Sequence, residues 1–332
     1  MTKKIFAGLC AVFLGIFYAL NALAAIEIKC AAPGNEQHPF TKAFKKMGEY
    51  VEKESNGKYK VSVYGDYKLG NTDTLGLGLQ MGTIHFLLDS SGNLSTFTPE
   101  LSVFDLPYVL PTQDAANHIL HGKTGEDICK RLSTKNLTYL AMADSAYRNM
   151  TTSKPVNSLD DIRKQKIRVT LSPSHQKALN AMGIQATPMP ASEVYTGIQQ
   201  GVVDGVDIDY PWGVNLNYYE VTPYVFESGH IYSPQMLLTG TKWWNSLSPE
   251  DKKMFEQAIQ VWLDEATSAH AALVEESKQK YLDKGAKIVV PDEQERARWI
   301  EAAKATRQNL TKPQQTMLEI IDTELKTAGL AK

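Results

Sequence analysis

Asp204, Asp207 and Asp209 are carboxylates spaced closely enough to do chemistry, either as oxygen ligands for a metal or as an acid pair sharing a proton. Neither reading has the rest of its machinery. No cluster of histidines partners them, and Gly205 between them points to turn and strand-end roles. His38 and His230 stand alone in sequence, where a hydrogen-bonded structural role is the expectation. The signatures HExxH, CxxC and GxSxG are absent. Gly122-Lys123-Thr124 has the end of a phosphate loop, but Asn117 occupies the position of the upstream glycine. Gly76, Gly78 and Gly82 lack dinucleotide spacing and fall in a helical pattern. With no catalytic constellation, metal site or cofactor motif, the chain reads as a binder rather than an enzyme.

The elements that must position these residues alternate. Ile26–Ala31 and Tyr59–Tyr64 read as strands around a helix whose face is Phe40, Phe44, Met47 and Val51. A helix over Thr72–Met81, a buried strand over Ile84–Leu88, a helix over Asp114–Leu132 and a strand over Leu137–Ala143 follow. The grammar restarts after Asn149. A short helix at Ser158–Arg163 leads to a strand at Lys166–Thr170 and a helix at Ser174–Met182. Then come Ile184–Thr187 as strand, Ser192–Gln200 as helix and Val202–Ile208 as strand. The class is therefore α/β, in two lobes joined by crossing strands, since no low-complexity linker separates them. Ser248-Pro249-Glu250-Asp251 is a strong helix start, with a cap, a first-turn proline and acids at the positive end of the dipole. Apolar residues then recur from Phe255 through Trp262 to Leu273, and no Gly or Pro appears before Gly285. A helix over Pro249–Lys284 is about 54 Å long, enough to run along both lobes. A strand at Lys287–Val290 and further helix over Asp292–Leu325, broken near Pro313, complete the chain.

Composition narrows the function. The 332 residues hold 35 Lys plus Arg against 37 Asp plus Glu, so there is no basic excess for nucleic acid. Lys3 and Lys4, an apolar run over Ile5–Leu20 and Ala22-Leu23-Ala24 have the layout of a secretory signal peptide over 1–24, cleaved near Ala24 or Ala25. Loss of Lys3 and Lys4 moves the formal charge from −2 to −4. Export makes a bond between Cys30 and Cys129 as open an expectation as two buried thiols.

The middle of the chain carries an ordered set of motifs. They are Phe104-Asp105-Leu106-Pro107-Tyr108, Lys166-Ile167-Arg168-Val169, Thr187-Pro188-Met189-Pro190, Ser192-Glu193-Val194-Tyr195, Gln200-Gly201-Val202-Val203-Asp204-Gly205 and Tyr218-Tyr219-Glu220-Val221. The set resembles the solute-binding proteins of tripartite ATP-independent periplasmic (TRAP) transporters, C4-dicarboxylate-binding type, and the resemblance covers essentially the mature chain. It implies a periplasmic clamshell with a long helix spanning both lobes and a ligand cleft between them. Lobe I is 25–145 with 233–275, and lobe II is 146–232 with 276–332. It also implies a monomer that captures a small organic anion and delivers it to the small and large membrane permease subunits, with no cofactor and no metal.

By the same resemblance Arg168 is the principal carboxylate anchor, a role its planar fork suits. Arg148 matches a second arginine, either a ligand contact or a brace for Arg168. Asp89, Ser90, Ser91 and Asn93 follow a strand end where first-lobe contacts arise. Asp207 or Asp209 is placed to accept from a ligand hydroxyl or ammonium. Tyr210 and Trp212 either add bulk to the cleft or pack at its edge, and His38 lies near the first helix. Ala191, and Val206-Asp207-Ile208-Asp209 after Gly205, depart from the pattern of sialic-acid-binding relatives and argue against a sugar acid. The expected ligand is a C4-dicarboxylate, a short hydroxy acid or a two-carbon sulfonate such as isethionate or taurine. A binding protein feeding a sensor would share the cleft. A periplasmic enzyme on small organic acids would need a nucleophile–base pair from dispersed residues.

Overall fold

The computed structural model describes residues 25–134 and 136–331. The signal peptide expected over 1–24 lies outside them. Two sheets form, each with helices packed against it. The first contains β1 (Ile26–Ala31), β2 (Tyr59–Tyr64), β3 (Phe86–Ser90), β4 (Leu137–Ala143) and β10 (Gln235–Gly240), in the order β2-β1-β3-β10-β4. The second contains β5 (Tyr147–Thr152), β6 (Lys166–Val169), β7 (Gln185–Pro188), β8 (Gly205–Ile208), β9 (Tyr224–Tyr232) and β11 (Lys287–Val289), in the order β11-β9-β5-β8-β6-β7.

Alternation along the strands divides the first lobe's core in two. Phe86, Leu88, Ala141, Ala143 and Leu237 face one apolar cluster, and Leu87, Met142, Met236 and Leu238 face the other. Both faces are covered, as parallel-rich sheets require. Cys30 and Cys129 sit in different clusters and are free and buried, so the two-thiol alternative is the one realised.

The chain crosses between sheets three times, from β4 to β5 through residues 144–146, back from β9 to β10 through residues 233–234, and again from β10 to β11 along the long helix. β5, β9 and β10 are elements that the period analysis did not delimit. The long helix runs Pro249–Asp283, with Ser248 accepting from the Asp251 amide. Its Phe255, Ile259 and Trp262 are buried against the first lobe's Phe40 and Phe44, while Tyr281 packs with Tyr210 and Val225 of the second. It therefore spans both lobes, over about 52 Å.

Two expectations need correcting. Asp114–Leu132 is two helices, Gln113–Leu120 and Lys123–Leu132, because Gly122 turns the chain at φ 83°. The break expected near Pro313 is present at residues 308–311, and Pro313 lies in the first turn of the helix that follows, Lys312–Thr327, where its missing N–H is harmless. That helix belongs with the first lobe rather than the second, since Met317, Leu318, Ile321 and Leu325 join the cluster of Leu87 and Met142.

Candidate functional site

Between the lobes lies a cavity lined from the first lobe by Tyr67, Asp89, Ser90, Asn93 and Gln235, and from the second by Arg148, Arg168, Ala191, Asp209 and Trp212. Its free space is about 70 Å³. The lobes meet on either side of it. His38 and Trp212 stack with ring centroids 4.4 Å apart at 14°, and the Asn35 amide donates to Asn215 at 3.2 Å. Elsewhere Ser172 donates to Asp105 at 2.6 Å, and its Oγ lies 3.2 Å from that of Ser95. The cleft is closed over the cavity.

Strand period aims Arg168. Ile167 and Val169 face the second lobe's core, so Arg168 must face the other way. It is 5% exposed. Its Nε donates to the Met189 carbonyl at 2.9 Å, and among the described residues no carboxylate forms an ion pair with it. Burial pulls the guanidinium down from 12.5 to about 10. A buried cation without a counter-charge is an unfinished interaction that an anion would complete.

Arg148 lies at a register shift between β5 and β9, where the ladder slips between Arg148 and Met150; such irregularities re-aim side chains. Its Nε donates to Asp207 at 2.7 Å and its Nη2 to the Asp207 carbonyl. His175 contacts the other Asp207 oxygen, and His230 lies 3.4 Å from it. Burial alone would raise the Asp207 carboxyl; Arg148, His230 and His175 outweigh it and hold the group well below its usual range.

Asp89 is the penultimate residue of β3, with Oδ1 accepting from the Ser90 amide and Asn93 Nδ2, both at 2.8 Å, and Oδ2 from Thr72 at 2.6 Å. Burial raises its carboxyl despite these donors. Ser90 caps the turn that carries Asn93. Asp209 caps the Tyr210–Asn215 helix by accepting from the Trp212 amide at 2.9 Å, and burial pushes its carboxyl up to about 6.

Three expected ligand contacts lie outside this cavity. Asp207 pairs with Met150 across the ladder, on the face away from Arg168, and its oxygens are taken by Arg148 and His175. Tyr210 turns into a cluster with Val225 and Tyr281 and donates to Glu227 at 2.8 Å. His38 caps the first helix, accepting from the Phe40 amide at 3.3 Å, and stacks on Trp212 of the second lobe. Sequence reasoning missed Tyr67 and Gln235. Tyr67 follows Asp66 in a turn where both residues have positive φ, and the Gly65-Asp66 step was its only local signal. Gln235 opens β10, which had none. His175 was missed because its partner Asp207 is distant in sequence.

Two sheets bridged by crossing strands and closed on a cleft that holds a guanidinium unpaired among the described residues fit the architecture of a solute-binding protein. The family comparison agrees and makes it particular. Residues 31–314 match the bacterial extracellular solute-binding proteins, family 7 (DctP), so the chain belongs to that family, the periplasmic solute-binding components of TRAP transporters. It is a binding protein and not an enzyme. It is 29% identical over 80% of its length to the 2,3-diketo-L-gulonate-binding periplasmic protein of Escherichia coli, 80% of which is covered. A TRAP solute-binding protein of Citrobacter koseri with bound D-glucuronate superposes with a TM-score of 0.83 at 28% identity, over 89% of this chain and 98% of that one. One from Haemophilus influenzae with bound L-gulonate gives 0.85 at 26%, over 91% and 99%. Members of the family bind small organic acids and work with membrane permease subunits. No helix among the described residues is long and apolar enough to cross a membrane.

Proposed function

We propose that this chain captures a small organic anion with one acid group in the periplasm and delivers it, as a monomer, to the membrane permease subunits of a TRAP transporter. The observation that carries this is Arg168, buried in the cavity with no carboxylate partner among the described residues. Its outer nitrogens are placed to hold a carboxylate or a sulfonate in two parallel hydrogen bonds. Arg148 acts as a positioning residue, since its Nε and Nη2 are committed to Asp207. Asp89, Ser90 and Asn93 serve as first-lobe contacts, and Asp209 and Trp212 as second-lobe contacts. The lobe division that fits this reading is 25–145 with 233–275 and 312–327 against 146–232 with 276–311.

Size supports a short ligand. The free space between the closed lobes is about 70 Å³. A short hydroxy acid or a two-carbon sulfonate suits that space better than the hexonates and hexuronates of the structural relatives. A thermal-shift screen of small carboxylates, sulfonates and hexuronates on the mature chain tests the reading, because binding to the native state raises the melting point by mass action. Short monoanions should raise it and Arg168→Ala should abolish the shift. Stabilisation by hexuronates alone would overturn the size argument.

A further inference from the structure

The first-lobe wall of the cavity is built of acceptors. Asp89 is 1% exposed and held by three donors, which fix its oxygens in place as acceptors. Gln235, on the neighbouring strand and directly opposite Ser90 in the ladder, is 2% exposed. Its Oε1 is buried without a hydrogen-bond partner and lines the same cavity. From the second lobe Asp209, 2% exposed, adds a carboxylate whose Oδ1 accepts from the Trp212 amide. Among the described residues no cation forms an ion pair with Asp89 or Asp209, while Arg148 is already matched by Asp207.

Charge and hydrogen bonding point the same way. Once an acid head neutralises Arg168, two buried carboxylates and an unpaired amide oxygen remain. A second acid group on the ligand would meet like charge where water is excluded. A donor would satisfy groups that otherwise stay desolvated and unpaired. We infer that the end of the ligand remote from its acid head presents a hydrogen-bond donor, a hydroxyl or an ammonium, to Asp89 and Gln235, and that the site rejects dicarboxylates. The inference rests on Arg168 holding the acid head.

Two matched series test it by calorimetry on the mature protein. One is ethanesulfonate, 2-hydroxyethanesulfonate, taurine and sulfoacetate; the other is propanoate, 3-hydroxypropanoate, β-alanine and malonate. The hydroxyl or the ammonium member of at least one series should bind about 10- to 100-fold tighter than its donor-free partner, the span of a hydrogen bond to a charged group. The diacid should bind more weakly than the donor-free member. The two donor members separate a hydroxyl ligand from a zwitterion. Asp89→Asn keeps the shape and removes the charge, so it should erase any preference for ammonium and narrow the discrimination against diacids. Equal binding of donor-bearing and donor-free members, or tightest binding of a diacid, overturns the inference. In that case, loss of all binding in Arg168→Ala would still uphold the anchor. If no member of either series binds the wild type, the anchor reading and this one fall together.

Discussion

Arg168→Met should abolish ligand binding and stabilise the ligand-free protein. The arginine is held in the cavity as a cation with no ion-pair partner among the described residues, and burial lowers its guanidinium from 12.5 to about 10. At 1.36 kcal/mol per pKa unit, the site disfavours the charged form by about 3 kcal/mol. Methionine keeps an apolar stem of similar reach and removes the charge. It also loses the 2.9 Å bond to the Met189 carbonyl, worth about 1 kcal/mol. Met189 is only half-buried, so water can replace the donor. The net gain is about 1–2 kcal/mol, or a rise of roughly 2–6 °C in melting temperature. Fluorimetric melts with and without the ligand found by screening provide the assay. The wild type should rise on adding ligand, and the variant should start higher and not move. A ligand-free variant melting several degrees below wild type would show that Arg168 braces the fold. A preserved ligand-induced shift would remove it from the site.

Arg148→Ala should behave in the opposite way: it strips the buried Asp207 of its guanidinium and should lower stability by about 3–5 kcal/mol in urea unfolding, and a loss under 1 kcal/mol would refute the brace. Between about pH 4 and 6, the contribution of Asp209 to stability should fall as pH rises, because this buried residue, with its carboxyl near 6, retains a proton that the unfolded chain releases near 3.8. Asp207 acts with the opposite sign, but its contribution is lost only below that window, as pH falls through its depressed range. Asp209→Asn preserves the helix cap and should flatten the decline, measured as melting temperature against pH in both proteins.

Local pattern was enough for much of this molecule. Alternating apolar residues determined β1, β2 and β4, and the serine–proline–acid start followed by an unbroken apolar stripe determined the long helix. Each of these is a preference a short segment expresses alone. The ordered motifs pointed to the family and to Arg168. What they did not contain was which side chains meet. Asp207 and Asp209 look equivalent in sequence, yet strand period sends the first to Arg148 and His175 while the helix cap leaves the second at the cavity. Tyr210 and Trp212 part in the same way, one into a cluster with Tyr281 and the other onto His38. Gln235 reaches the cavity only because β10 returns to the first sheet between β3 and β4. These outcomes depend on strand order, register and crossings between lobes, which arise from contacts far apart in the chain. Only the folded structure could therefore decide that the cavity holding Arg168 is also walled by acceptors.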